Sequence, residues 1–98
     1  MDVLVTYDIA DTDEEEGAKR LRRIAKVCQK YGQRVQFSVF ECRVSNTQLE
    51  RMIGEVEDVF DRSCDSVIIY RFPGEMESAT LRLGCDKQER KLGEPWIL

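Results

Sequence analysis

The stretch "QRVQFSVFECRV", residues 33–44, decides the fold class. Val35, Phe37 and Val39 alternate with polar or outward-facing positions, which is the two-residue period of a β-strand. The stretch is rich in residues that favour strands and is too long for one short strand. We therefore predict two strands, or one long bent strand, with the break near residues 40–42.

Helical patterns flank this stretch on both sides. Before it, a helix is predicted from residue 12 or 13 onwards, and Gly32 suits its C-terminal cap. After it, Ser45 and Gln48 have the spacing of a capping box at the start of a second helix. The apolar faces of the two helices comprise Ala18, Leu21, Ile24, Ala25, Cys28 and Tyr31, and then Leu49, Met52, Ile53, Val56, Val59 and Phe60.

Strand patterns also lie before the first helix and after the second. Residues 2–8 alternate with apolar side chains on both sides, which predicts a central strand, and residues 66–72 predict a buried one. The order βαββαβ is the split βαβ arrangement of ferredoxin-like α+β domains. We therefore predict that residues 1–72 form a four-stranded antiparallel sheet with both helices on one face. A second copy of the chain is the economical cover for the other face, which predicts a homodimer.

The C-terminal residues 73–98 are predicted to form a tail beyond this core. A turn at Pro73 and Gly74 is followed by "ATLRLG", which has the pattern of a short strand, and by the apolar end "PWIL". We expect this tail to dock on the partner subunit.

Composition narrows the possible functions. The 98 residues fit one small domain, and no apolar run approaches the ~18 residues of a membrane span. The N-terminus has a strand pattern rather than that of a signal peptide, so we expect a cytoplasmic protein with no membrane partner. The four cysteines lack a CxxC spacing and there is no histidine, which argues against a zinc site and favours reduced thiols, most of them in the core.

Asp8, at the end of the first strand, is the candidate for chemistry. Without histidine no Ser-His-Asp or Cys-His pair can form, so any hydrolysis must use carboxylates, a metal-activated water or a partner chain. Asp8 suits a Mg²⁺ ligand, but the residues alone favour a strand-end aspartate that caps the following turn. Both interpretations stay open.

Charge is strongly segregated along the chain. Residues 17–40 carry seven basic residues and no acid, although the whole chain has a net charge of −4. Five of these bases form one helix face: Lys19, Arg22, Arg23, Lys26 and Lys30. Such a face indicates either binding of nucleic acid phosphates or an ordinary solvated surface.

Three motifs in order resemble one known family. They are "VLVTYDI" at residues 3–9, "YGQRVQFSVFEC" at residues 31–42 and "DSVIIYRF" at residues 65–72. They resemble the small CRISPR-associated adaptation proteins that accompany the integrase in spacer acquisition. The resemblance implies a ferredoxin-like homodimer that sits between two integrase dimers and holds double-stranded DNA. For several members it also implies a magnesium-dependent endonuclease acting on RNA or double-stranded DNA.

The resemblance also implies roles for single residues. The family's first-strand aspartate, one from each protomer, maps to Asp8 as catalytic residue and Mg²⁺ ligand. The other matched positions are Arg20, Arg22 and Arg34 towards nucleic acid, and Ser38 and Phe40 as structural or dimer residues. Three hypotheses stay open: a DNA-binding scaffold for the integrase, a magnesium-dependent endonuclease, and a toxin-like ribonuclease of related fold.

Overall fold

Four strands and two helices form along residues 1–85, the part of the chain that the computed structural model describes. The elements are β1 (Asp2–Asp8), α1 (Glu15–Tyr31), β2 (Gly32–Gln36), β3 (Val39–Arg43), α2 (Asn46–Glu57), β4 (Ser66–Phe72) and a 3₁₀ turn at Glu77–Ala79. The four strands form one antiparallel sheet in the order β2-β3-β1-β4. This is the predicted ferredoxin-like α+β arrangement.

The hydrophobic core lies between one face of the sheet and the two helices. The largest fully buried side chains are Val3, Val5, Ile24, Cys28, Phe40 and Met52. They come from β1, α1, β3 and α2 and belong to one continuous cluster. The rings of Tyr7 and Phe40 stack within it, with their centroids 6.2 Å apart. Because side chains alternate along a strand, Val3, Val5 and Tyr7 of β1 all point to the face that the helices cover.

The opposite face of the sheet is not covered by a helix. It carries Leu4, Thr6 and Asp8 from β1, and Leu4 and Thr6 pair with Tyr70 and Ile68 of β4. The residues Ile68 and Tyr70 are 46% and 49% exposed. The prediction that β4 is buried is therefore wrong for this face, because β4 is an edge strand that the helices cover from one side. We call this surface the open face.

The break between β2 and β3 also differs from the prediction. It falls at Phe37 and Ser38 rather than at residues 40–42, because Phe40 and Cys42 continue the alternation of β3 into the core. The connection is a two-residue turn without Gly, Asn or Asp, so it lacks the usual sequence signal of a hairpin.

Helix boundaries agree with the sequence pattern at two of four ends. The helix α2 ends at Glu57, before Val59 and Phe60, which were predicted to lie on its apolar face. The capping box is formed, since the N–H of Gln48 donates to Ser45 Oγ and the N–H of Ser45 donates to Gln48 Oε1. Gly32 caps α1 in an extended conformation and is also the first residue of β2, so no loop separates the two. However, α1 begins at Glu15 and not at residue 12 or 13, because Asp11 adopts a φ of 56° and turns the chain first.

The segment after β4 folds back over one end of the open face. The N–H of Met76 donates to Asp2 Oδ2 at 2.9 Å, and the Met76 side chain is buried. Within residues 73–85 no strand forms, and Leu81 and Leu83 are exposed. Docking of this segment on a partner stays a prediction, and "PWIL" lies outside the described residues. In residues 1–85 none of the helices has the length and apolar character needed to cross a membrane.

Gly17 is predicted to be intolerant of any side chain. A Cβ at this position would lie 2.0 Å from the backbone oxygen of Asp11 and 2.5 Å from that of Ala10. Gly17→Ala should therefore lower the free energy of unfolding by about 2–3 kcal/mol through overpacking, as measured by urea denaturation.

Gly54→Ala is the matched control, since Gly54 lies inside α2 with no atom within 4 Å of its added Cβ. This variant should raise the free energy of unfolding by about 0.5–1 kcal/mol. Equal stability of the two variants would contradict the close packing at Gly17.

Candidate functional site

Asp8 is the last residue of β1 and its side chain is exposed on the open face. Its neighbour across the sheet is Ser66, the first residue of β4. The carboxylate forms no hydrogen bond or ion pair with any other residue between 1 and 85. It is therefore accessible to a ligand from solvent or from a second chain.

The donor chemistry of Asp8 fits a hard cation such as Mg²⁺, which prefers carboxylate oxygen. The number of donors in one chain is small, since residues 1–85 contain no group of three acidic, cysteine or histidine side chains that could hold a metal ion. A single chain thus offers one carboxylate at this position. A complete metal centre requires further ligands from a second copy, from the substrate or from water.

The loop that follows Asp8 is fastened by a buried carboxylate, Asp65. Its Oδ1 accepts the N–H of Ala10 at 2.9 Å. Its Oδ2 accepts the N–H of Asp61 at 2.9 Å and Nε of Arg20 at 2.8 Å. Arg20 also donates from Nη2 to the backbone oxygen of Ala10 at 3.2 Å. We call this arrangement, which joins the β1–α1 loop, α1 and the loop before β4, the Asp65 clamp.

The Asp65 clamp is ionised at neutral pH. Burial alone raises the pKa of Asp65, but the N–H groups of Asp61 and Ala10 and the guanidinium of Arg20 together outweigh it and lower that pKa. The hydrogen bond with Asp65 in turn raises the pKa of Arg20. The guanidinium of Arg20, whose side chain is 18% exposed, is thus occupied inside the protein. Its placement does not support the predicted contact with nucleic acid.

The exposed side of α1 carries the bases that remain available. Lys19, Arg22, Arg23 and Lys26 point to solvent and form no ion pair with the rest of residues 1–85; we call these four the α1 basic face. Arg22, a predicted nucleic-acid contact, belongs to it.

Lys30, the fifth base of the predicted face, is paired instead. Its ammonium contacts the carboxylate of Glu55 on α2, which also accepts the hydroxyl of Tyr31. The ammonium and then the hydroxyl lower the pKa of Glu55. Lys30 therefore links α1 to α2 and does not belong to the α1 basic face.

Arg34 lies on the opposite side of the sheet from Asp8. It pairs with Phe40 across β2 and β3, and its guanidinium carbon is 5.1 Å from the ring centroid of Phe40 and 6.0 Å from that of Phe37. Its Nε and the hydroxyl of Tyr7 are buried without a hydrogen-bond partner in residues 1–85. Burial raises the pKa of Tyr7, and Arg34 partly counteracts this. One chain therefore does not bring Arg34 and Asp8 together.

Ser38 and Phe40 have structural positions in the chain. The backbone oxygen of Ser38 accepts the N–H of Tyr7 at 3.1 Å, which ties the β2–β3 turn to the end of β1. Phe40 is fully buried in the core.

The residue that sequence reasoning missed is Asp65, because nothing in the local pattern indicates its partners at Ala10 and Arg20.

These features define a ferredoxin-like α+β domain with a free carboxylate at the tip of its first strand and a basic outer helix. The model of the family described as CRISPR associated protein Cas2 matches residues 1–79. The chain belongs to the Cas2 family.

Similar proteins with curated names agree with this assignment. The chain is 44% identical over 97% of both lengths to a CRISPR-associated endonuclease Cas2 of Halalkalibacterium halodurans. It is 48% identical, over 72% of this chain and 73% of the other, to a CRISPR-associated endoribonuclease Cas2 of Moorella thermoacetica. The crystal structure of Streptococcus pyogenes Cas2 at pH 6.5 matches with a TM-score of 0.77 and 40% identity, covering 86% of this chain and all of the other.

Arg20 and Arg22 of α1 are predicted to respond differently in a binding assay. If the α1 basic face contacts duplex phosphates, Arg22→Ala should reduce the slope of log affinity against log salt concentration by about 0.9. Arg20→Ala, checked for folding by circular dichroism, should leave the slope unchanged because Arg20 faces Asp65. Titration of a random-sequence DNA duplex at several salt concentrations measures both slopes, and a reversed result would contradict the assignment of the two side chains.

Proposed function

We propose that this Cas2 protein acts in CRISPR adaptation as a homodimer that binds nucleic acid and cleaves a phosphodiester bond with Mg²⁺ at paired Asp8 carboxylates. The observation that carries the proposal is Asp8 itself, an exposed and unpaired carboxylate at the tip of the central strand. The relatives named as an endonuclease and as an endoribonuclease support the reaction class. Both DNA and RNA are therefore candidate substrates.

The open face supports the homodimer. A small domain buries a limited share of its surface, and Leu4, Ile68 and Tyr70 form an apolar strip that no helix covers. A second copy placed there by a two-fold axis would use the same patch on both subunits. Because Asp8 lies on the same face, such a dimer is the arrangement that can supply two carboxylates to one cation.

The side chains have separate roles in this proposal. A bound Mg²⁺ would supply a metal-activated water and neutralise charge on the phosphate. The two Asp8 carboxylates hold and orient the cation, which accounts for chemistry in a chain without histidine. The α1 basic face holds the nucleic acid backbone through charge, which requires no particular base sequence.

A scaffold without turnover is the second candidate function. One carboxylate per chain is a sparse metal site, whereas the α1 basic face can bind duplex DNA whether or not Asp8 holds a cation. In this case the homodimer would position double-stranded DNA for the CRISPR-associated integrase, as the resemblance to adaptation proteins implies.

Asp8→Asn is predicted to separate the two functions. It should lower Mg²⁺-dependent cleavage of duplex DNA or single-stranded RNA at least about 100-fold, since it removes the metal-binding charge, while metal-free binding stays within about twofold. Asp11→Asn is the control, because Asp11 is a nearby exposed acid and asparagine tolerates its positive φ. Cleavage that survives Asp8→Asn would contradict the nuclease, and wild-type binding with no cleavage would favour the scaffold.

Tyr70→Arg is predicted to weaken the homodimer. A charge on the open face opposes association, and it should change the stability of the monomer little because Tyr70 is half exposed. Sedimentation analysis should show a shift to monomer for Tyr70→Arg. Ile53→Arg, at an exposed position of α2 on the other side of the molecule, should stay dimeric. An unchanged dimer in Tyr70→Arg would contradict the use of the open face.

A further inference from the structure

We propose that Asp65 is a positioning residue for Asp8. The Asp65 clamp fixes the backbone directly after the metal-binding carboxylate and so sets the geometry in which Asp8 meets a divalent cation. This inference rests on the proposed nuclease function, since it assigns a residue that supports the same site.

Asp8 is held by backbone contacts on both sides. Before it, the N–H of Tyr7 donates to the backbone oxygen of Ser38 at 3.1 Å. After it, both backbone groups of Ala10 are used, because its N–H donates to Asp65 and its oxygen accepts from Arg20. The Asp65 clamp therefore acts two residues beyond Asp8.

The clamp also acts through the neighbouring strand. Asp65 immediately precedes Ser66, which is the cross-strand partner of Asp8. Its Oδ2 fixes the loop before β4 by accepting the N–H of Asp61. The same carboxylate thus determines where the chain leaves β1 and where it enters β4, which are the two backbone segments that flank Asp8.

The loop held by the clamp is not in a relaxed conformation. Asp11 has a φ of 56°, and Gly17 of α1 packs directly against the backbone oxygens of Ala10 and Asp11. A non-glycine residue in this region persists when its surroundings over-determine it. The contacts of Asp65 and Arg20 supply that constraint.

A buried ion pair often adds little to the stability of a protein. Removing a carboxylate from water costs several kcal/mol, and replacing a buried ion pair by apolar residues is often neutral or stabilising. The Asp65 side chain is nevertheless fully buried, with both oxygens bonded to defined partners. What this arrangement provides is a fixed geometry, which a residue next to a metal ligand requires.

The chain contains a matched carboxylate for comparison. Asp2, at the opposite end of β1, accepts the N–H of Met76 at 2.9 Å and Nε of Arg43 at 3.0 Å. It therefore also fastens a distant segment to β1. The seven residues of β1 place it about 20 Å from Asp8, so it has no means of orienting that carboxylate.

The experiment compares Asp65→Asn with Asp2→Asn in two assays. The first measures the Mg²⁺ concentration that gives half-maximal cleavage of a DNA duplex. The second titrates Mn²⁺ without substrate into ¹⁵N-labelled protein and follows the paramagnetic broadening of the amide signals of Asp8 and Ile9. Thermal denaturation confirms that each variant is folded at the assay temperature, and Arg20→Lys replaces Asp65→Asn if the latter does not fold.

Asp65→Asn should raise both the half-maximal Mg²⁺ and the half-maximal Mn²⁺ concentration about tenfold or more, as loss of support for a metal ligand does. Asp2→Asn should leave both unchanged even where its thermal stability falls. Unchanged metal dependence in Asp65→Asn, with metal bound by the wild type, overturns the role of Asp65 and leaves the nuclease intact. Absence of Mn²⁺ broadening at Asp8 in the wild type overturns the metal site and the role of Asp65 together.

Discussion

Both helices lie on the same face of the four-stranded sheet, and the rest of this structure depends on that arrangement. Strand alternation sends Val3, Val5 and Tyr7 of β1 into the core. The same alternation leaves Leu4, Thr6 and Asp8 on the open face. The carboxylate is thus exposed because of its position in the strand, and the surface that a second copy would cover is the surface that bears Asp8.

The charges around the first helix have three distinct uses. Asp8 is free on the open face, whereas Arg20 is directed inwards to Asp65 and fastens the loop between them. The α1 basic face points outwards and remains unpaired within residues 1–85. A chain with a net charge of −4 can therefore still present a basic surface to a phosphate backbone, because residues 17–40 contain no acid.

Local sequence patterns predicted the strands and helices. The exposure of β4 and the pairing of Arg20 depend on long-range contacts, which local patterns do not show. The period of the apolar residues gave the order βαββαβ, and the capping box at Ser45 located the start of α2. The turn at Phe37 has no sequence signal, and the exposure of β4 follows from its place at the sheet edge. The role of Arg20 depends on a partner 45 residues away, and no helical wheel shows it.

The same limit applies to Arg34. The second motif identified it as a residue near nucleic acid, but its side of the sheet is decided by the pairing of β2 with β3. That pairing contains an irregularity between Arg34 and Gln36, which cannot be read from the alternation alone. The guanidinium consequently packs against the rings of Phe37 and Phe40.

Mixed dimers test most directly whether the site is shared between two chains. Wild-type protein and Asp8→Ala protein are unfolded together and refolded in varied ratios at constant total concentration, and Mg²⁺-dependent cleavage is measured. If each site needs an Asp8 from both subunits, activity follows the square of the wild-type fraction, and an equal mixture retains about a quarter of it. A linear decline, with an equal mixture at about half activity, would show that each subunit works with its own carboxylate and would contradict the paired site.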